Sequence, residues 1–373
     1  MKYYIIAGEA SGDLHASNLI KHIFNYDSNA EIRAWGGERM QQEGADVVKN
    51  YKDLAFMGFV EVARNLKTIL ANIRFCKKDI LAFRPDVVIL IDYPGFNLRI
   101  AKFLKQQRIK TFYYISPQIW AWHTSRVKQI KANIDQMFVI LPFEKEFYAS
   151  YNINVHYHGH PLLDAIKNSA VDKNFIENNR LNTLPIIAIL PGSRKQEIKN
   201  MLKVMIEVSK QIKDYQFVIA GVEHLKNLYE DIVNNESIRI VYNQTYSLLA
   251  HSYAAMVTSG TATLEAALFD VPQVVCYKGN YFSYLIAKQL IKNIRYISLV
   301  NLIAEKKIVQ ELIQNDMNEA LLLKELRKII YKEEDRKEML NEYKIMHEKL
   351  GDGNTSSLIA KKMIDLLSNQ SLG

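Results

Sequence analysis

The chain has 373 residues, 49% of them apolar and 24% charged, with a formal net charge of +8. That length and balance suit two globular cores and exclude a disordered or fibrous chain. The basic excess fits nucleic acid, anionic lipid or a phosphorylated substrate, and does not choose among them.

In chain order, Tyr3–Ala7 reads as a buried first strand. The run is too short for a signal-peptide core, and no run in the chain nears 18 apolar residues. Membrane contact is therefore expected to be peripheral. Gly8-Glu9-Ala10-Ser11-Gly12-Asp13 follows the strand, then a helix with Leu14, Leu19, Ile20 and Ile23 apolar. Strand, glycine turn and helix open a Rossmann-like unit. The glycine spacing is not the dinucleotide fingerprint, so NAD is disfavoured. Ile32–Ala34 is predicted as a strand, and residues 59–83 as a helical region. Asp86–Ile91, Thr111–Ile115 and Gln136–Leu141 are predicted buried strands. Helical stretches between them argue for a parallel sheet.

The pattern restarts after a polar stretch between Pro161 and Pro185. Ile186–Leu190, Gln216–Ala220, Ile238–Val241, Ala254–Thr258 and Gln273–Tyr277 are predicted strands, the last closing the series. The final forty residues read as charged helices broken by Gly351-Asp352-Gly353-Asn354. The expected fold class is α/β. Residues 1–165 form one Rossmann-like domain and residues 180–344 a second, facing it across a cleft. Helices from about 345 to 373 are placed to pack back on the first.

Several turns carry chemistry. Ser259-Gly260-Thr261-Ala262-Thr263-Leu264-Glu265 follows a buried strand and starts a helix. Free backbone N–H groups and the helix dipole there suit an anion, and Glu265 could accept from ribose hydroxyls. A plain capping box is the other reading. Gly192-Ser193-Arg194 with Glu197 repeats the arrangement, and Arg194 could neutralise a diphosphate. Asp92, after DVVILI and before Pro94-Gly95-Phe96-Asn97, is either a general base or a helix cap. Trp120 and Trp122 either wall a sugar or acyl site or pack internally. The apolar segment from Leu54 through Leu70, interspersed with Arg64, Lys67 and Arg74, suits either lipid docking or core packing. His156, His158 and His160 alternate as metal ligands would on a strand, but no carboxylate set accompanies them, and a structural role is the other reading. Cys76 and Cys276 have no zinc spacing and fit a reducing compartment. No cofactor and no metal are expected. No basic helix, zinc finger or RNA-recognition motif suggests nucleic acid as a partner.

Taken in order, AGEASGD, LAFMGFVEV, DYPGFN, SPQIWAW, LPFEKEFY, GHPLLD, LPGSRKQEI, TSGTATLE and ISLVN resemble the lipid-A-disaccharide synthase family. The resemblance implies a glycosyltransferase of the two-Rossmann GT-B type. It implies inverting transfer of 2,3-diacylglucosamine from UDP to the 6-hydroxyl of 2,3-diacylglucosamine 1-phosphate. The products would be a β(1→6) disaccharide 1-phosphate, a precursor of lipopolysaccharide, and UDP. It implies Asp92 as the essential acid. Glu9, Ser11, Asp13, Asn97, Trp120 and Trp122 fall on the acceptor side. Gly192, Ser193, Arg194, Glu197, Ser259, Gly260, Thr261, Ala262, Thr263, Glu265 and Asn301 fall on the UDP side. The expected location is cytoplasmic, peripheral on the inner-membrane lipid surface. Two positions depart from the family pattern. Gly95 stands where a second acid is common, and His123 where arginine is common, with Arg126 nearby. A UDP-N-acetylglucosamine 2-epimerase or a polyprenol-linked sugar transferase is the alternative enzyme. A non-catalytic nucleotide-sugar or lipid-binding protein is the alternative of another class.

Overall fold

A computed structural model describes residues 1–54, 66–122, 124–234, 238–279 and 295–368. The chain divides into two compact units: Met1–Lys167 with Leu350–Gly373, and Asn168–Lys349. The predicted lipid-docking segment falls mostly on residues 55–65, outside the described residues, as does His123.

The first unit holds a seven-stranded sheet. Its strands are β1 (Lys2–Ala7), β2 (Glu31–Gly36), β3 (Asp46–Asn50), β4 (Val87–Ile91), β5 (Thr111–Tyr114), β6 (Gln136–Val139) and β7 (His156–Tyr157). The order is β3-β2-β1-β4-β5-β6-β7, with every pair parallel. Side chains alternate between two cores, as a pleated strand requires. Tyr3, Ile5, Val87, Ile89, Phe112 and Phe138 face one core, and Tyr4, Ile6, Val88, Leu90, Tyr113 and Met137 face the other. Both faces are covered, which explains the uninterrupted apolar runs of β1 and β4.

The second unit holds β8 (Ile186–Leu190), β9 (Gln216–Gly221), β10 (Arg239–Tyr242), β11 (Ser252–Thr258), β12 (Gln273–Tyr277) and β13 (Gln310–Ile313). Their order is β10-β9-β8-β11-β12-β13, again all parallel. β12 does not close the series as its sequence suggested. β13 pairs with it through Val274↔Gln310 to Tyr277↔Ile313. β13 and β3 are polar edge strands with half-exposed residues, so neither carries an apolar run. Thr111–Ile115 ends one residue early because Ile115 turns left-handed at φ 63°.

The GHPLLD segment explains how the C-terminal helix Thr355–Ser368 joins the first unit. Gly159 sits at φ +102°, and a Cβ there would lie 2.8 Å from Thr355 Oγ1 and 2.9 Å from the Leu350 carbonyl oxygen. His160 donates its backbone N–H to that carbonyl at 3.2 Å. Asp164, buried, accepts from the N–H groups of Thr355 at 3.1 Å and Ser356 at 2.6 Å. It thus satisfies the first turn of the helix as an N-cap would. Ile359, Ala360, Met363 and Leu367 then pack with Leu19, Ile20 and Ile23 of helix Ala10–Tyr26. His160 lies beyond the two-residue β7 and accepts from Leu162 N–H through Nδ1. The three histidines therefore do not share a strand face. Among the described residues no group of three His, Cys, Asp or Glu side chains could hold a metal ion.

Removing the Asp164 carboxylate strands two buried N–H groups. Asp164→Ala is expected to cost roughly 2 kcal/mol in urea denaturation, with faster amide exchange concentrated in Thr355–Ser368. Unchanged stability and exchange would contradict this account of the junction.

Candidate active site

In a parallel sheet every strand ends at the same edge. Ligands bind beyond that edge, where neighbouring strands send their helices to opposite faces. The strand orders place this switch point between β1 and β4 in the first unit, and between β8 and β11 in the second. The turns singled out in the sequence leave these four strands.

In the first unit Ala7 pairs with Ile91, so the turns after β1 and β4 lie side by side. Asp92 and Tyr93 are both left-handed, at φ 43° and 48°. Two consecutive side-chain-bearing residues in that region are costly and must be held by their surroundings. The Asp92 carbonyl accepts from Asn97 Nδ2 at 2.8 Å and from the buried Tyr113 hydroxyl. Asn97 Nδ2 also reaches the Ile91 carbonyl at 3.2 Å. The Tyr93 ring lies against Gly8, where a Cβ would fall 2.4 Å from ring carbons. The result is a rigid elbow that presents Asp92. Burial and then the Glu9 charge push its carboxyl up to about 6, with the Tyr93 N–H pulling the other way. A carboxylate tuned toward neutral pH is suited to proton abstraction.

The other acceptor-side residues divide. Ser11 is exposed and Glu9 partly so, on the turn beside Asp92. Asp13 is 2% exposed and accepts from Gly37 N–H at 2.7 Å and from Arg39 and Met40 N–H at 3.3 Å. Its carboxylate fixes the turn after β2 and is not presented to a ligand. Asn97 is wholly buried and holds the elbow, so it too is a positioning group. Trp120 meets Phe143 edge-on, with centroids 4.9 Å apart, and Trp122 ends the same short helix, Ile119–Trp122. Near Trp120 lies Glu144, which the sequence reading passed over. It is 1% exposed and accepts from Ile140 and Leu141 N–H. Burial lifts its carboxyl to about 7, against the pull of the Leu141 N–H and the Ser116 hydroxyl.

In the second unit Leu190 pairs with Val257, which brings the turns after β8 and β11 together. Gly192 is at φ +101°, and a Cβ there would lie 2.4 Å from Glu197 Oε2. Tyr229 donates its hydroxyl to the Gly192 carbonyl at 3.2 Å. Glu197 is thus folded over its own turn. Arg194, at the start of helix Lys195–Lys210, keeps a loose 3.5 Å contact with Glu197 and is 61% exposed. An exposed pair of this kind contributes little, so the guanidinium can turn to an anion. Ser193 is exposed beside it.

Gly260 caps helix Thr261–Leu268 at φ +148°, with nothing within 4 Å of an added Cβ. That open space lets a ligand approach the backbone, and the first N–H groups of the helix, at Thr261 and Ala262, point out of its end. The capping-box reading does not hold. The helix has no side-chain cap, and Glu265 instead accepts from the Tyr246 hydroxyl at 3.1 Å. Burial raises the Glu265 pKa and that hydrogen bond opposes the rise.

Three expected donors are spent internally. Thr263 Oγ1 donates to the Gly260 carbonyl, and Ser259 Oγ to the Ile297 carbonyl. Asn301 is fully buried, with Nδ2 donating to the Val309 carbonyl and Glu311 and Oδ1 accepting from Ile308 and Val309 N–H. These four hydrogen bonds of the Asn301 side chain are all internal to the second unit. Asn301 holds the segment that anchors Ser259. Glu311, Tyr113, Tyr229 and Tyr246 escaped the sequence reading because their partners lie far along the chain.

A family model described as lipid-A-disaccharide synthetase matches residues 3–363. The lipid-A-disaccharide synthase of Syntrophus aciditrophicus is 37% identical over 356 residues, 93% of each chain. That of Nitrosococcus oceani is 35% identical, covering 99% of this chain and 97% of its own. Among solved structures, a UDP-GlcNAc 2-epimerase from Neisseria meningitidis bound to UDP-GlcNAc superposes with a TM-score of 0.70 at 14% identity, covering 98% of this chain and 100% of that one. An S. aureus MnaA–UDP structure gives 0.71 at 12% identity, covering 98% and 97%. These structures share the fold of two Rossmann-like domains, while the sequence relatives match almost end to end. The protein belongs to the lipid-A-disaccharide synthase family.

Proposed function

We propose that Asp92 is the general base of the family's transfer reaction and that the β8 and β11 turns hold UDP. The enzyme is a glycosyltransferase that moves 2,3-diacylglucosamine from UDP to the 6-hydroxyl of 2,3-diacylglucosamine 1-phosphate. As the acceptor O6 attacks the anomeric carbon, its proton passes to Asp92. The bond from that carbon to the diphosphate breaks, and UDP leaves with the electron pair. One displacement inverts the anomeric centre and gives the β(1→6) product. Arg194 and the N–H groups of Thr261 and Ala262 take up the charge on the departing diphosphate. Glu265, braced by Tyr246, is the acceptor offered to ribose hydroxyls. Glu9 and Ser11 meet the acceptor sugar.

The observation that carries this reading is the elbow. A carboxyl at the switch point is kept in a costly backbone conformation, largely buried and pushed up to about 6. Asp92→Asn is expected to lower kcat by about 10²- to 10⁴-fold, measured as UDP release and product mass from defined acylated substrates. Its effect on stability should be opposite. Because the folded pKa lies above the ordinary value near 4, Asp92 stabilises the fold only at low pH, and that contribution is lost as pH rises toward about 6. The Asn variant should therefore gain roughly 1–3 kcal/mol at pH 7. Near-normal turnover by a folded variant would end the assignment.

The pH profile provides a second check. kcat/KM should fall below about pH 6 as Asp92 takes up a proton. Glu9 raises that value, so Glu9→Gln should shift the acidic limb to lower pH. A limb that stays in place would argue against their coupling.

The enzyme's substrates are acylated, and we place it at the cytoplasmic face of the inner membrane. No described helix is long and apolar enough to cross a bilayer. Helix Leu66–Phe83 leaves Leu70 45% and Phe75 47% exposed, with Lys67 and Arg74 exposed beside them. Such a face suits peripheral docking on anionic lipid. Leu70→Glu with Phe75→Glu should reduce co-flotation with phosphatidylglycerol vesicles several-fold. Undiminished flotation would remove this helix from the contact.

A further inference from the structure

The second unit carries a basic concavity at the edge opposite its nucleotide turns. It has a volume of about 390 Å³ and lies where β9 and β10 begin, lined in part by Gln216 and Arg239, the first residues of those strands. The proposed UDP turns leave β8 and β11 at the other edge of the same parallel sheet, so the two places are separated by the length of its strands. Among the described residues no aspartate or glutamate lines the concavity, whereas Arg180, Lys210, Lys213 and Arg239 do. Lys210 pairs with Glu207 at 2.9 Å. Among the described residues, Arg180, Lys213 and Arg239 have no carboxylate within ion-pair distance. The nearby Asp214 accepts instead from the Tyr331 hydroxyl at 2.6 Å.

The wall is fixed by this chain's own bonds. Gln216 Oε1 accepts from Asn182 N–H at 3.1 Å, and its Nε2 donates to the Asn182 and Leu184 carbonyls. Tyr215 donates its hydroxyl to the Ile330 carbonyl at 3.1 Å. Phe217 and Ile212, 8% and 3% exposed, pack beneath the polar lining. Arg180 adopts a left-handed φ of 52°, a conformation more usual for glycine or asparagine.

We propose that this concavity is a second anion site, specific for a phosphate ester. Two guanidinium forks and an ammonium offer N–H donors and positive charge and no acceptor, which matches a phosphate dianion or diester. Like charges gathered around one hollow repel each other, and a bound anion relieves that repulsion. The volume exceeds that of bare phosphate and lies within the usual range for small ligands, so it leaves room for the organic part of the ester beside the phosphate. The phosphate can belong to a soluble ester or to a phospholipid headgroup, and the two sources predict different binding.

The test uses the full chain with UDP at saturation, so that the nucleotide turns are occupied. Inorganic phosphate and glycerol phosphate are titrated by calorimetry. Phosphatidylglycerol and phosphatidylcholine vesicles are compared by co-flotation. Arg180→Gln with Arg239→Gln removes two charges from exposed positions outside the catalytic machinery, and Lys213→Gln is a separate single variant. Saturable binding of the soluble phosphates, weakened at least about tenfold in the double variant, establishes a soluble ester as the ligand class. Flotation with phosphatidylglycerol alone, reduced in the double variant while Leu70 and Phe75 are intact, establishes a headgroup. In either case affinity falls with added salt. If neither the double nor the single variant alters binding to soluble phosphates or to vesicles, the proposal is overturned.

Discussion

The constraint on which the site depends is the parallel register of β1 with β4. Once Ala7 lies opposite Ile91, the chain leaves both strands at adjacent points. The Tyr93 ring can then lie on Gly8 only because Gly8 has no Cβ. That contact sets the Asp92 elbow beside Glu9, and the neighbouring charge joins burial in raising the Asp92 pKa. A one-residue slip would turn Tyr3 and Ile5 into the wrong core and separate the two turns. Hydrophobic patterning on both faces of the sheet therefore fixes the electrostatics of its edge. The second unit repeats the logic, with the β8–β11 register bringing Gly192 and Gly260 together.

The elbow also shows where stability is given up. Left-handed φ at both Asp92 and Tyr93 works against folding, as does a buried carboxyl. The Asn97 amide, the Tyr113 hydroxyl and the Tyr93 ring contact offset part of that cost. These groups hold the acid in place through the backbone of the elbow. If Asp92 is the general base proposed above, a site held this firmly needs little rearrangement when the acceptor hydroxyl arrives.

Legibility in the sequence followed burial. β1, β4 and β8 are covered on both faces and read as unbroken apolar runs. The edge strands β3 and β13 are polar because one side meets solvent, and neither was visible. The glycine turns after the buried strands were legible as turns, but not how their side chains are spent: Thr263 bonds the Gly260 carbonyl only three residues away. Gly192 and Glu197 are five residues apart and meet across one turn. Roles that depend on distant partners could not be read. Nothing local says that Asp13 accepts from Gly37, or that Asn301 is enclosed by residues 308 to 311.

Those enclosed residues narrow the chemistry left for the ligand. The Asn301 amide makes four hydrogen bonds inside the second unit, and withdrawing one for UDP would leave a buried backbone group unpaired. Thr263 and Ser259 are similarly committed. On the proposed reading, recognition of the diphosphate falls to main-chain N–H groups at Thr261 and Ala262, to the exposed Arg194, and to the open approach over Gly260. Main-chain donors are rigid and carry no side-chain entropy to lose. Arg194 is exposed and loses its weak contact with Glu197 at little cost. A fixed cradle with one movable cation suits a leaving group whose charge grows as the bond breaks, because the cradle is already aligned and the guanidinium can follow the departing oxygen.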